Sequence, residues 1–328
     1  MPTFVDRLIE QAALKSSWAV VGLDPQVELL PPSLLESAYG EYGHTLEAGA
    51  HAASEFCQRI IDVVAPHVVA VKFQSACFER LGWRGVKVCA ELVRHAQEQG
   101  LLVILDGKRG DVGFTAQAYA EGYLGEVEVG GVPQSPWGAD AVTVNPYLGW
   151  DSIQPFVEVA KEYDKGVFVL VKTSNLSSGQ VQDLVAEGRQ VYAHLAELVS
   201  AWAEELMGLH GYSSLGAVVA ATFPRDAARI RALMPHCYFL VPGYGAQGGT
   251  AQDVMPSFNP DGTGAIINSG RNIIYAYYRP PYAEEFGPER WEEAVEAAVI
   301  AMNDEINAAL AERFGRPGSI RPQKPDLL

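Results

Sequence analysis

One stretch of the sequence decides the fold: residues 101–111 read LLVILDGKRGD. Its first five residues are all apolar, and such a continuous run is typical of a strand buried on both faces. The run ends in charged residues and glycines, and a segment with helical spacing follows at 115–124. The stretch therefore predicts a strand, a charged strand end and a return helix, which together form the repeating unit of a parallel α/β fold.

The same pattern recurs along the chain on both sides of this stretch. Short apolar runs rich in β-forming residues predict eight strands, at 18–24, 67–74, 101–108, 140–147, 166–174, 215–222, 238–245 and 264–270. Helical spacing is clearest at 50–65, 85–98, 115–124, 152–163, 188–207 and 225–233. Eight such units predict a (β/α)8 TIM barrel, with a doubly wound open sheet as the alternative, because periodicity alone does not reveal closure.

The remaining length is assigned to insertions within one domain that covers residues 1–328, with barrel strands between about 18 and 270. One insertion covers 25–49, and a Gly/Pro-containing loop is predicted at 121–138. A closing helix is expected at about 284–314, followed by a polar tail at 315–328 that is expected to fray.

Composition excludes several classes of protein. Apolar residues make up 48% of the 328 residues, which is ample for a large core and excludes a disordered chain. The net charge of −16 repels phosphate backbones, so no general nucleic-acid partner is expected. No apolar run is long enough to span a membrane, and the first residues lack the apolar core of a signal peptide. Four scattered cysteines predict reduced thiols and a cytoplasmic location; they are Cys57, Cys77, Cys89 and Cys237.

Polar and charged residues gather where the predicted strands end, which is where barrel enzymes carry their active residues. These strand ends hold Asp24, Lys72, Asp106, Lys108, Asp111, Asn145, Thr173, Ser174, Gln247 and Arg271. Such a set is too charged for ordinary strand termini, so the sequence predicts a site at this end of the barrel.

The sharpest group is Asp106, Lys108 and Asp111. Positions 106 and 108 are two apart on a strand, so both side chains are expected on one face. A lysine between two carboxylates should stay protonated and can act as a proton donor. The alternative is a solvated charged turn in which Asp111 caps the next helix.

Lys72 and Asp24 allow two interpretations each. Lys72 ends an apolar strand, where it could extend its ammonium from the barrel rim or join an ion network with the neighbouring acid pair. Asp24 precedes Pro25, so it is either a turn acid or a member of the same site.

Residues 243–248 read GYGAQG, formally the G-x-G-x-x-G of dinucleotide-binding proteins. Pro256 lies too close for the full helix that such a site needs, and no acid ends the following strand. We expect instead a phosphate loop in which backbone N–H groups at Gly245 and Gly248 surround the anion and Gln247 donates from its side chain. After the eighth strand, Arg271 follows Gly270 and adds a cation at a helix start. This is the usual phosphate position in these barrels.

Searches for metal and nucleophile motifs give nothing. The seven histidines show no H-x-x-x-H spacing, and no G-x-S-x-G elbow occurs. The sequence motifs therefore predict no metal site and no serine nucleophile of this kind.

These motifs resemble those of the orotidine 5′-phosphate decarboxylase family. Residues 106–115, DGKRGDVGFT, are similar to the family signature D-x-K-x-x-D-[IV]-x-x-T, and the likeness extends over about residues 1–278. The segment Lys172-Thr173-Ser174-Asn175 resembles the longer bacterial subgroup, in which proline commonly follows the asparagine. Leu176 stands there in this chain.

The resemblance implies an enzyme that converts orotidine 5′-phosphate (OMP) to UMP and CO₂ without a cofactor. Asp24 and Lys72 would hold the ribose hydroxyls. Asp106 would lie beside the substrate carboxylate, and Lys108 would deliver a proton to pyrimidine C6.

The resemblance also implies a homodimer with shared active sites. Asp111 and Thr115 would reach into the neighbouring subunit's site. Ser174 would form a hydrogen bond with the pyrimidine edge, and Gln247 and Arg271 would bind the phosphate.

Other functions stay open at this point. Related sugar-phosphate decarboxylases and synthases use Mg²⁺ held partly by an acid where Lys72 stands here, so the lysine argues against the metal. A Schiff-base aldolase and a non-catalytic phosphate-ligand sensor also stay open.

Overall fold

The structure is a computed structural model that describes residues 2–315. Within them, eight parallel strands form a closed barrel. The strands are β1 (Ala19–Leu23), β2 (Ala70–Gln74), β3 (Leu102–Arg109), β4 (Ala141–Val144), β5 (Gly166–Lys172), β6 (Ser213–Val219), β7 (Cys237–Val241) and β8 (Ala265–Ser269).

Strand pairing confirms the barrel and excludes the open sheet. Each strand pairs with its neighbour in sequence, and β1 pairs in parallel with both β2 and β8. Ala19 lies opposite Ile267 across the closing seam. All eight predicted strands are therefore present, and the fold is the predicted (β/α)8 barrel.

Nine longer helices surround the barrel in the described part of the chain. They are α1 (Phe4–Lys15), α2 (Pro32–Tyr42), α3 (Leu46–Val64), α4 (Gly82–Glu98), α5 (Gly113–Leu124), α6 (Trp150–Glu162), α7 (Val191–Trp202), α8 (Pro224–Leu233) and α9 (Trp291–Phe314). Short helical turns also lie at Ser75–Glu79, Gly179–Gln182, Ala251–Val254, Arg271–Ile274 and Tyr282–Glu285. None of the helices in residues 2–315 is both long and apolar enough to cross a bilayer.

The core fills the barrel and the layer between strands and helices. Side chains on the strands are almost completely buried, including Val20, Val71, Ile104, Val169 and Ile267. Burial on both faces explains why these segments are continuously apolar rather than alternating.

Helix α1 closes the lower end of the barrel, at the amino ends of the strands. Thr3 accepts a hydrogen bond from the Asp6 N–H, and the Asp6 carboxylate accepts one from the Thr3 N–H, which forms a capping box. The Phe4 ring packs so closely on Gly166 that a Cβ there would lie 2.2 Å from it. Gly166 is therefore the residue that admits this helix.

Two sequence-based expectations about the added segments need correction, and a third segment can be described in more detail. Segment 25–49 holds helix α2 and the first turn of α3. The predicted loop at 121–138 is wrong, because it holds the end of α5 and a β-hairpin formed by Val127–Val129 and Val132–Gln134. The closing helix begins at Trp291 and not near 284, because Gly287 is left-handed and breaks the chain direction.

The helix predicted at 188–207 is also shorter, because Gly188 turns a small hairpin between Val185–Ala186 and Arg189–Gln190. The predicted polar tail lies outside the described residues apart from Gly315.

Candidate active site

A cavity of about 380 Å³ lies at the carboxyl ends of the strands. It gathers eight of the residues predicted from the strand ends, together with Gly270: Asp24, Lys72, Asp106, Lys108, Thr173, Ser174, Gln247 and Arg271. Because these residues follow or end six different strands, closure of the barrel is what assembles the site.

Asp106 lies at the centre of an ion network in the cavity wall. Its Oδ2 is 2.8 Å from Lys72 Nζ, and its Oδ1 is 2.7 Å from Lys108 Nζ. The Thr143 hydroxyl donates a further hydrogen bond of 2.8 Å to Oδ1. One buried carboxylate therefore holds two ammonium groups side by side, so Lys72 belongs to a network and not to the solvated rim.

Asp106 and Lys72 stay ionised at neutral pH. Burial alone would raise the pKa of Asp106, but the charges of Lys72 and Lys108 outweigh it and hold that pKa well below its usual range. Burial acts in the opposite direction on Lys72, yet the nearby carboxylates of Asp106 and Asp24 raise its pKa overall. The cavity therefore presents fixed charges of both signs to a ligand.

Lys108 reaches Asp106 through an unusual backbone conformation. Its φ is +48°, in the left-handed region that few residues other than glycine adopt. The register of β3 against β4 shifts between Leu105 and Arg109, and the Lys108 N–H donates to Thr143 Oγ1 at 2.9 Å. The two side chains meet as the sequence predicts, but the cause is this local turn of the backbone and not strand alternation.

Arg109 anchors the chain directly after Lys108. Its Nε donates to the Tyr123 hydroxyl at 2.8 Å, and its guanidinium forms an ion pair with Glu79. The turn at Lys108 is thus fixed on one side by Thr143 and on the other by Arg109. The sequence did not predict either role; the one available signal for Thr143 was a hydroxyl within an apolar strand.

Two buried oxygen atoms in the cavity wall have no hydrogen-bond partner among residues 2–315: Asp24 Oδ1 and Asn268 Oδ1. Both side chains can accept hydrogen bonds, so a ligand that carries hydroxyl donors satisfies them. Asn268 was not singled out from the sequence, although it lies two residues before the predicted Gly270.

Arg271 begins a short helix after β8 and is exposed. Its guanidinium makes no hydrogen bond or ion pair within the described chain, and Gln247 lies on the same cavity wall. Both side chains are therefore available to an anion.

The glycine loop departs from the expectation. The Gly245 N–H donates to the Gly249 carbonyl, and the Gly248 N–H donates to the Gly245 carbonyl, each at 2.8 Å. In this conformation neither amide is free to bind a phosphate. The glycines are explained by positive φ angles of 71° and 90°.

Asp111 and Thr115 lie outside the cavity of their own chain. Asp111 Oδ1 accepts a hydrogen bond from the Val112 N–H, and Val112, not Asp111, is the N-cap residue of α5. The alternative of Asp111 as a helix cap is therefore wrong. Phe114 stands beside them with 87% of its surface exposed.

The cysteines and the acidic side chains give no sign of a disulfide or a metal centre. All four cysteines are free, and Cys77 lines the cavity with a pKa that burial raises to about 11. Within residues 2–315, no group of three or more His, Cys, Asp or Glu side chains is placed to hold a metal ion.

Fold and site together define a (β/α)8-barrel enzyme with a charged cavity at the carboxyl ends of its strands. Residues 20–285 match the model of the orotidine 5′-phosphate decarboxylase / HUMPS family. The chain belongs to this family.

Individual relatives support the same placement. The chain is 44% identical over 306 residues to orotidine 5′-phosphate decarboxylase of Rhodopirellula baltica, covering 93% of this chain and 99% of the relative. It is 40% identical to the enzyme of that name from Caldicellulosiruptor bescii, covering 95% and 100%.

Solved structures agree. OMP decarboxylase of Leishmania donovani superposes with a TM-score of 0.71 at 32% identity, covering 94% of this chain and 98% of that one. UMP synthase of the same organism gives 0.73 at 34% identity, and this chain spans 57% of its length.

Proposed function

We propose that the protein decarboxylates OMP to UMP and CO₂ without a cofactor. The single observation that carries the proposal is the Lys72–Asp106–Lys108 network, in which one buried carboxylate and two ammonium groups face the same cavity. Family membership and the named relatives support it.

Substrate binding is assigned by chemistry. The phosphate lies against Arg271, whose fork of N–H donors matches phosphate oxygens, and against Gln247. Asp24 accepts hydrogen bonds from ribose hydroxyls, which satisfies its unpartnered oxygen, and Lys72 donates to them. Ser174 faces the pyrimidine edge. Phosphate binding far from the reacting carbon supplies energy that holds the base against Asp106.

The chemical step breaks the bond between C6 and the carboxylate. The electron pair stays on C6, CO₂ leaves, and a proton from Lys108 Nζ forms the new C–H bond; solvent then reprotonates the lysine. Charge that develops at C6 lies beside a fixed ammonium, which stabilises the transition state. Two carboxylates about 4 Å apart repel by roughly 4 kcal/mol at an effective dielectric constant of 20, so departure of CO₂ also relieves repulsion from Asp106.

A dimer with shared sites is part of the proposal. Asp111 and Thr115 do not line their own chain's cavity, and the neighbouring Phe114 and Val112 are exposed apolar side chains at the same rim. A second copy that covers this rim would bring Asp111 to the other cavity.

A cytoplasmic location, inferred from four cysteines without a disulfide, also belongs to this proposal.

The test of the reaction is incubation of the purified protein with OMP while UMP and CO₂ are followed, with and without EDTA. Equal turnover in both is expected. Loss of this turnover with EDTA would show that the reaction needs a metal ion, as the Mg²⁺-dependent sugar-phosphate enzymes do, and tight UMP binding without turnover would favour a ligand sensor. Trapping of substrate on a lysine by borohydride would indicate a Schiff-base aldolase.

The test of the shared site mixes two inactive variants, Lys108→Ala and Asp111→Ala. In a mixed dimer, one pocket carries both defects and the other carries none. Equal amounts, unfolded and refolded together, give mixed dimers in about half of the population, so up to about a quarter of wild-type activity should return. Mixed dimers of correct size that stay inactive would show that Asp111 serves its own chain.

A further inference from the structure

A second buried lysine lies outside the reacting network. Lys172, the last residue of β5, has a fully buried side chain whose Nζ forms an ion pair with Asp183 and lies 3.7 Å from Asp226 Oδ2. The rings of Tyr192 and Phe223 flank the ammonium, with centroids at 5.2 and 4.6 Å. A buried ammonium is costly without its partners, so it holds in place the segments that carry these two carboxylates and two rings.

Asp183 belongs to the segment of residues 175–190, which we call the β5–α7 segment. It is largely exposed, and its apolar side chains include Leu176, Val181 and Leu184 with more than half of their surface in solvent. Such a segment buries little apolar surface of its own, so its position depends on polar ties to the barrel.

Gln182 supplies the second tie, and it holds the cavity wall directly. Its Oε1 accepts a hydrogen bond of 3.0 Å from the Thr173 N–H, and its Nε2 donates one of 2.7 Å to Thr173 Oγ1. Thr173 Oγ1 donates in turn to Asn175 Oδ1 at 2.7 Å. Thr173 and Ser174 both line the cavity, whereas Gln182 does not.

We propose that Gln182 is a positioning residue that sets Ser174 toward the pyrimidine, and that the Lys172–Asp183 ion pair holds Gln182 in place. Recognition of the base would then be controlled by a segment outside the cavity, while recognition of phosphate is not. This inference rests on the proposed function, because it takes Ser174 as the residue that contacts the base.

The test compares Gln182→Ala with Gln180→Ala. Both glutamines lie on the short helix Gly179–Gln182, but Gln180 is exposed and its side chain makes no hydrogen bond within the described residues. Affinity is measured for UMP and for ribose 5-phosphate, which lacks the base. Gln182→Ala should weaken UMP binding about fivefold, the effect of losing one ordinary hydrogen bond from Ser174 to the base, and leave ribose 5-phosphate unchanged. Gln180→Ala should change neither.

The same comparison in a Ser174→Ala background tests whether Gln182 acts on the base through Ser174. If Gln182 acts through Ser174, its effect on UMP binding shrinks when Ser174 is already removed. An undiminished effect in that background, an equal loss for both ligands, or no loss at all would each overturn the inference.

Two further measurements distinguish a failure of this inference from a failure of the proposed function. Asp183→Asn should reproduce a smaller selective loss of UMP affinity, and its absence would remove the ion pair from the proposal. A wild-type protein that binds UMP no better than ribose 5-phosphate would instead contradict the proposed base contact itself, whatever the Gln182 variants do.

Discussion

The two ends of the barrel use the same kinds of charged side chain in opposite ways. At the lower end, the Arg231 guanidinium is buried and donates to four backbone carbonyls; these belong to Met234, Cys237, Ser257 and Gly264. At the upper end, Arg271 is exposed and binds no group of the described chain. One arginine completes the fold, and the other is left for a ligand.

The carboxylates show the same contrast. Asp6 at the lower end is fully buried and accepts hydrogen bonds from Thr3 and from the His210 N–H. Asp24 at the upper end keeps one buried oxygen without a partner in the described residues. Unsatisfied buried polar groups cost stability, so their presence in the cavity wall indicates where function outweighs stability.

The largest effect is expected for Lys108→Ala, which should lower kcat by about 10³-fold or more while UMP binding stays measurable. The reason is that its ammonium stabilises charge formed only in the transition state. The control is Lys87→Ala, an exposed lysine on α4 that pairs with Glu91. A Lys108 variant with near wild-type kcat would remove the lysine from the chemical step.

At the lower end, Arg231→Met should reduce the free energy of unfolding by about 3–5 kcal/mol, because four carbonyls lose a buried donor. Urea denaturation measures this loss. Arg229→Met on the same helix, where the side chain is 65% exposed, should stay within about 0.5 kcal/mol of wild type. Equal effects of the two variants would contradict the assignment of Arg231 to the fold.

Asp106→Asn should destabilise the protein by about 2 kcal/mol at pH 7, since it leaves Lys72 buried without its carboxylate partner. The folded-state pKa of Asp106 is lowered, so its contribution is present above the ordinary Asp pKa and is lost as pH falls through the folded value. The stability difference between variant and wild type should therefore be constant from about pH 5 to 7 and shrink below about pH 4. A difference that vanishes already near pH 6 would show that Asp106 is not held ionised as described.

The smallest effect is expected for Arg271→Ala, which should weaken UMP binding about 20-fold by removing a charge-assisted contact to phosphate. Uridine binding should not change, and neither should the thermal midpoint, because this guanidinium is exposed. Isothermal titration with both ligands gives the comparison. Equal losses for UMP and uridine would place Arg271 outside the phosphate site.

Much of this architecture was visible in the sequence. The strands stand out as apolar runs, and the charged strand ends supply most of the cavity wall. Helix α1 was missed although its signals were present: Thr3 followed three residues later by Asp6, then apolar residues at helical spacing.

Other features could not have been predicted. The left-handed turn at Lys108 depends on Thr143 from the neighbouring strand and on the contact between Arg109 and Tyr123 of the following helix. The two engaged amides at Gly245 and Gly248 follow from how the loop closes on itself. These features depend on tertiary contacts, so the local sequence pattern does not predict them.

The docking of α1 also determines when this helix can pack during synthesis of the chain. The Val5 N–H donates to the hydroxyl of Ser214, 209 residues further along the chain, and the barrel seam joins Ala19 to Ile267. At about 5–20 residues per second, a ribosome needs roughly 10–40 s after making the first helix before its partner exists. For that interval the apolar face of α1 has no place to pack, so the nascent chain is the state in which this protein is most open to chaperones and to aggregation.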